Sequence, residues 1–299
     1  MPRRFELNPP GAEAAYLRGL QASFPGWGDR TDFAWWFRRA IGARPADLLT
    51  LAERDVLIAG MALSYRRFHP GGGAAESLVA ILSAAWTRPE HRRGGCFAEL
   101  VEHADTVAAS RGAVALLAFV SGGRASRRVL EAAASERIAS WQLRSGPRLA
   151  GEPPAPAARR PAPDAAALRR WFHEHRAGGG FVYPSAGVFA EQARLGHGGV
   201  AVAEAADGHW AIVDDERVRA VLHESAPLEA DASAAALAQV ARGRRPGLRA
   251  YTTQRRVAEA AQRAGFEADE AQLVVLPVGG RPTAPLRVAE AWLHELDRA

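Results

Sequence analysis

The sequence predicts an α/β fold of the α+β kind in two copies, each a mixed, mostly antiparallel sheet flanked by helices. Three observations carry that expectation. Both halves run through the same order of elements: helices, a three-strand meander, a helix, a strand, a helix and a strand. Residues 146–164, "GPRLAGEPPAPAARRPAPD", form a Pro/Ala stretch too poor in apolar residues to pack, and so read as a linker. The length of 299 residues, with 48% apolar and 24% charged residues, suits two ordinary globular domains. The expected domains are therefore 1–145 and 165–299.

The elements follow from hydrophobic period and turn chemistry. Tyr16, Leu17, Leu20 and Phe24 recur at helical spacing within 11–24. A second helix is expected over 30–42, with Asp32 as N-cap and Gly42 as its stop. Its Phe33, Trp36 and Phe37 make an aromatic face that reads as core or as cleft lining. Strands are expected at 47–52, 55–65 and, after the turn "HPGGGAAE", at 77–87, which makes an antiparallel meander. An amphipathic helix over 96–111 carries Phe97, Leu100, Val101, Ala104 and Val107 on one face and ends at Gly112. A strand at 113–120, a helix at 125–134 and a strand at 137–143 close the first half. The second half reads as helices at 165–176 and 185–195, then strands at 199–205, 209–214 and 217–223. A helix (232–243), strand (248–252), helix (254–264), strand (272–277) and terminal helix (286–298) complete it.

Composition excludes several classes of function. No apolar run is long enough to cross a membrane, and "MPRRFELNPP" lacks the apolar region of a signal peptide. A single cysteine rules out an internal disulfide framework and suits the cytoplasm. The net charge of +5 comes entirely from arginine, because the chain has no lysine, and the Arg-Arg pairs are scattered rather than gathered on one element. A solvated surface is expected, and no nucleic-acid face. His173 and His175 lie two apart and diverge on a helix, and His197 reads as a turn residue, so no metal site is expected.

The stretch "TRPEHRRGGCF", 87–97, carries the chemistry. A strand ends, Pro89 stiffens the exit, and the chain turns into a helix whose free N–H groups and dipole attract an anion. Gly94 and Gly95 let the backbone approach closely at positive φ. Arg92 and Arg93 add guanidinium forks that match phosphate oxygens. Such a loop suits a pyrophosphate.

On these residues, about 5–145 of the chain resembles the GNAT superfamily of acyl-CoA-dependent N-acyltransferases. The family signature, Arg/Gln-x-x-Gly-x-Gly/Ala between the fourth strand and the next helix, reads here Arg92-x-x-Gly95-x-Phe97. The resemblance implies acetyl-CoA or another acyl-CoA as co-substrate. It implies that the amides of residues 93–98, in Arg93, Gly94, Gly95, Cys96, Phe97 and Ala98, bind its pyrophosphate. It also implies that the strand edge at Ala85, Trp86 and Thr87 pairs with the pantetheine arm, while Phe119–Ser121 splays away to admit the thioester. Phe97 stands where the signature ends in a small residue. The family's Asn, Tyr and helix-ending Gly-Phe are replaced by Gly123, Leu130 and Ala134-Ser135, so the Tyr that protonates the leaving thiolate in many members is missing.

Acyl transfer to an amine needs a neutral nucleophile, a polarised carbonyl and a proton for the thiolate. Tyr65 and Tyr183 are the phenols read as candidate acids, and Glu76 as a candidate base acting through water. His91 is expected to cap the loop or contact phosphate, Ser83 to be buried and satisfied, and Cys96 to be a packed helix residue. Trp35, Trp36 and Phe97 are candidates to line an apolar tunnel for a longer acyl chain. In the second half, Gly265-Phe266 restores the helix-end pattern, but "SAPLEADAS" has no glycine and two acids, ill suited to phosphate. The expected protein is thus a tandem GNAT-like N-acyltransferase, monomer or homodimer, with a degenerate second domain and a small-molecule or peptide amine as acceptor. A non-catalytic acyl-CoA-binding or regulatory protein is the alternative.

Overall fold

The computed structural model describes residues 2–39, 41, 44–71, 73–122, 126–153, 160–174, 179–206, 208–224, 229–244, 246–280 and 286. Its elements begin with β1 (Arg4–Leu7), α1 (Glu13–Ser23), α2 (Arg30–Phe37), β2 (Asp47–Glu53), β3 (Val56–His69) and β4 (Ser77–Thr87). After a 3₁₀ turn (Pro89–His91) come α3 (Cys96–Ser110), β5 (Ala115–Ser121), α4 (Ser126–Ala133) and β6 (Glu136–Ser145). Then follow α5 (Pro147–Gly151), α6 (Ala165–Glu174), β7 (Gly180–Val182), α7 (Ala186–Ala193), β8 (Ala201–Ala206), β9 (His209–Val213) and β10 (Val218–His223). The last are α8 (Ala230–Ala241), β11 (Arg249–Thr252), α9 (Arg255–Arg263) and β12 (Phe266–Pro277).

The chain forms two compact units that are not its two consecutive halves. The first comprises Met1–Arg67, Ser77–Arg137 and Leu273–Ala284, and the second comprises Phe68–Glu76, Ile138–Gln272 and Pro285–Ala299. The expected domains 1–145 and 165–299 are consecutive, whereas the units place 68–76 and 138–145 in the second and Leu273–Ala284 in the first. An unpaired strand edge presents orphaned backbone groups and must be covered, and periodicity along the chain does not say which strand covers it.

In the first unit the strand order is β1-β2-β3-β4-β5, with β12 next to β5. The β2–β3 hairpin closes through Arg54 and Asp55, with φ of 48° and 62°, the left-handed pair that a two-residue turn requires. One face of this sheet meets α3 through Leu49, Leu51, Met61, Leu63, Leu100 and Leu116. The other meets α1 and α2 through Leu48, Ala62 and Trp86 with Tyr16, Phe33 and Phe37. On α3 it is Cys96, not Phe97, that joins the fully buried stripe with Leu100 and Ala104. The N-cap of α2 is Asp29, which accepts from the amides of Thr31 and Asp32; Asp32 completes the capping box from the third helical position. The expected stop of that helix, Gly42, lies outside the described residues.

The second unit holds the antiparallel sheet β10-β9-β8, the β6–β11 pair and the helices α5 to α9. Its core gathers Leu237, Val257, Phe266 and Leu149. Leu149 belongs to α5, inside the stretch expected to stay unpacked, and it is buried. The glycine conformation at Gly265, φ 105°, leaves room for it, since a Cβ there would lie 3.2 Å from Leu149 Cγ. Residues 154–159 of the expected linker and the expected helix over 286–298, apart from Leu286, lie outside the described residues. Among the described residues no helix is long and apolar enough to cross a membrane.

Candidate functional site

Strands β4 and β5 run parallel and pair from Val79↔Ala115 to Leu82↔Ala118. There the pairing stops, although β4 continues to Thr87 and β5 to Ser121. The cause lies in β4. Ala84 sits in the left-handed region at φ 50°, a bulge-like kink within a strand. Before the kink, Leu78, Ala80 and Leu82 pack on the α3 side; after it, Ala85 does, while Ala84 and Trp86 face α1 and α2. The alternation has slipped by one residue. Ala85, Trp86 and Thr87 therefore present a stretch of edge that β5 does not pair.

Where β4 ends, the chain builds the loop that the sequence singles out. Pro89–His91 form one 3₁₀ turn, Arg93 takes φ 65°, and Gly95 caps α3 at φ 83° with no side-chain hydrogen bond. Among the described residues the amides of Gly94, Gly95, Cys96, Phe97 and Ala98 meet no acceptor. A helix begun in this way leaves its first amides to bind an anion. A Cβ placed on Gly95 would meet no protein atom within 4 Å, so the space before the helix is open.

The arginines of the loop divide their work. Arg92 Nε donates to the Thr87 carbonyl at 3.3 Å and closes the turn on itself. Arg93 is exposed and makes no ion pair among the described residues. An arginine that the sequence reading passed over, Arg3, ties the loop down: its guanidinium donates to the Gly94 carbonyl at 2.6 Å and to Glu99 at 2.9 Å. Nothing local in "MPRRF" signals this, because Arg3 and Gly94 are 91 residues apart. His91 faces Glu53, its Nδ1 3.9 Å from a carboxylate oxygen. The Cys96 thiol donates to the His91 carbonyl at 3.7 Å, and burial raises its pKa, so it stays a protonated packing group.

Of the candidate acids and base, Tyr65 lies in the same unit as the loop, and its hydroxyl is engaged elsewhere. Tyr65 donates to Asp47 at 2.7 Å, and Asp47 also accepts from Arg111 just past the far end of α3 and from Asn8. Burial and that carboxylate push the Tyr65 phenol up. Its hydroxyl is a structural tie at the opposite end of α3. Glu76 is exposed just before β4, at the end of the strand away from Ala84. Tyr183 is fully buried in the second unit among Phe172, His173 and Phe189. Leu130, in the slot where the family carries Tyr, is buried in the α3-side core, while Gly123 lies outside the described residues.

The expected aromatic tunnel is not assembled, since Phe97 packs on the α3 side of the sheet and Trp36 on the α1–α2 side. Ser83 is also unlike its expectation: its Oγ is buried and, among the described residues, has no hydrogen-bond partner. Between α1 and α2 opens a groove of about 570 Å3, floored by Leu17, Phe33 and Leu48 and rimmed by Arg30 and the Glu13–Arg38 ion pair.

A three-strand meander is followed by a parallel strand that splays from a kinked neighbour, and a glycine-capped helix follows the loop after that neighbour. Comparison with solved structures identifies the fold. A tandem GNAT protein from the clavulanic acid biosynthesis pathway superimposes with a TM-score of 0.60 at 16% identity, covering 94% of this chain and 99% of that one. A GCN5-related N-acetyltransferase from Kribbella flavida gives 0.56 at 15% identity, covering 91% and 71%. Another from Anabaena variabilis gives 0.57 at 12% identity, covering 91% and 72%. No sequence-family profile and no curated protein matches the chain. The chain has the tandem GNAT fold.

Proposed function

We propose that the chain transfers an acyl group, acetyl by default, from acyl-CoA to the primary amine of a small molecule or peptide. The observation that carries this reading is the split beside Ala84 together with the uncapped amides of 94–98 in the loop that follows the same strand. In it the pyrophosphate rests on those amides with Arg93 as counter-charge, and the pantetheine arm pairs with the free edge at Ala85–Thr87. The thioester then lies between that edge and Phe119–Ser121. The neutral amine attacks the thioester carbonyl, the C–S bond breaks, and the proton released from nitrogen ends on the thiolate, giving amide and CoA. Holding both reactants in line supplies much of the rate, since effective molarities of about 10⁵ M or more are attainable. The N-acetyltransferase names of the Kribbella and Anabaena proteins support an acetyl donor.

A second reading, a non-catalytic acyl-CoA-binding protein, is favoured by Leu130 in the family's Tyr position and by the tied or buried phenols of Tyr65 and Tyr183. Calorimetry with acetyl-CoA, followed by thiol release across a panel of small amines and peptide N-termini, separates the two. Binding with amine-dependent release of CoA is expected. Binding without release from any amine favours the second reading, and no binding defeats both.

A further inference from the structure

The left-handed Ala84 needs a physical explanation, because an alanine at positive φ is disfavoured and persists only where its surroundings enforce it. Its surroundings are specific. Tyr16 of α1 is fully buried, and its hydroxyl donates to the Ala84 carbonyl at 3.3 Å. Two glycines make the space for this contact. A Cβ on Gly60 of β3 would lie 2.7 Å from both the Tyr16 ring and Trp86 Nε1, and a Cβ on Gly19 of α1 would lie 2.6 Å from the Trp86 indole. Trp86, the residue that the slipped alternation turns toward α1, meets the Tyr16 ring edge-on at 5.6 Å. Burial pushes the phenol far up, so it remains a hydrogen-bond donor at any working pH.

We infer that Tyr16 is a positioning residue for acyl transfer: its hydroxyl holds Ala84 in the left-handed kink that parts β4 from β5, and so sets the edge against which the thioester is aligned. The role presupposes the acyl-CoA reading above. Tyr16 touches no reacting atom, since its hydroxyl is spent on the Ala84 carbonyl. It acts through the strand.

The test is Tyr16→Phe, which keeps the ring and its packing and removes only the hydroxyl. Acetyl-CoA affinity by calorimetry should fall far less than kcat, because the pyrophosphate amides are untouched and only the pantetheine edge at Ala85–Thr87 shifts. The kcat at saturating amine should fall about 10²-fold, the typical penalty for a misplacement of about 1 Å. Adding Ala84→Gly should restore most of that loss, since glycine adopts positive φ without steric cost and needs no tether. A purely packing role for Tyr16 would not be rescued at residue 84.

Wild-type kcat in Tyr16→Phe, or a loss that Ala84→Gly leaves unchanged, overturns the inference. If the wild type binds no acetyl-CoA or turns over no amine, the functional reading fails, and the Ala84 Cα and Cβ chemical shifts of selectively labelled protein decide the tether by itself. Shifts that lose their left-handed signature in Tyr16→Phe support it, and unchanged shifts refute it.

Discussion

Replacing Gly95 by Val should cost acetyl-CoA affinity far more than it costs the fold. Gly95 caps α3 at φ 83°, ψ 0°, where a non-glycine residue is disfavoured by about 1–2 kcal/mol. No further penalty arises from contact, because the new Cβ would meet no protein atom within 4 Å. The variant should therefore fold, with a melting temperature lower by several degrees, at about 2–8 °C per kcal/mol. The valine branches, however, project into the open space before the helix that the pyrophosphate would occupy. Loss of two charge-assisted hydrogen bonds, at about 1.5–3 kcal/mol each, amounts to about 3–6 kcal/mol. That corresponds to a Kd weakened by about 10²–10⁴-fold. Isothermal titration with acetyl-CoA reads the effect, and circular dichroism melting confirms the fold. Gly95→Ala, with the same backbone strain but a smaller side chain, should fall between. A folded Gly95→Val protein with wild-type affinity would refute the assignment of this loop to the pyrophosphate.

Titration of the full chain should give one CoA per molecule, and two equivalent sites would contradict the reading of the second unit as degenerate. Asp47 is raised by burial but lowered more by its bonds from Arg111, Asn8 and Tyr65, leaving its pKa below the ordinary value. A carboxylate depressed in the folded state stabilises above its unfolded pKa of about 3.9 and loses that contribution as pH falls through the folded value. Asp47→Asn should thus be clearly less stable than wild type in urea melts at neutral pH, with the gap shrinking in acid; a gap independent of pH would show that the charge is irrelevant. Ser83→Ala should raise the stability of the unliganded protein by about 1 kcal/mol, because it removes a buried hydroxyl that has no partner among the described residues. A lowered melting point would mean that the hydroxyl is satisfied after all.

Much of the fold was legible because its signals are local. The period of "LVEHADTVAAS" and the Gly-Gly turn before it announce α3 and its anion-receptive start, and the alternating meander announces β2 to β4. What stayed hidden depends on partners distant in sequence. The kink at Ala84 cannot be read from "ILSAAWT", since alanine carries no preference for positive φ; Tyr16, 68 residues away, accompanies it. Arg3 and Gly94 pose the same difficulty. Tyr65 poses the opposite difficulty: a tyrosine on a central strand of a suspected acyltransferase reads as an acid. Only its contact with Asp47, 18 residues earlier, shows that its proton is already committed.

The two units differ in what fills the space beside their splayed strands. In the second unit a single parallel bridge, Arg217↔Arg249, joins the residue before β10 to the start of β11, and the two strands belong to different sheets. The split between them is filled from within. Val218, Val221, Leu237, Tyr251, Thr252 and Val257 close around a space of about 20 Å3, room for about one water molecule. The helix start beside it also differs in charge, since the first-turn acid of α3, Glu99, is paired with Arg3. α8 has Glu229 in the cap position and Asp231 in its first turn, where α3 has Gly95 and the arginines before it. Glu229 and Asp231 favour the helix dipole, so the acidic start stabilises α8 while repelling a phosphate. On the proposed reading, the left-handed kink with small alanines and the glycine-capped helix leave the first split open to acyl-CoA, whereas bulky side chains and an acidic cap close the second. Opening the second slot would need both changes together. Trimming Tyr251 alone should create a cavity without acetyl-CoA affinity, and a CoA stoichiometry of two in Tyr251→Ala would show that steric filling, not charge, was the whole barrier.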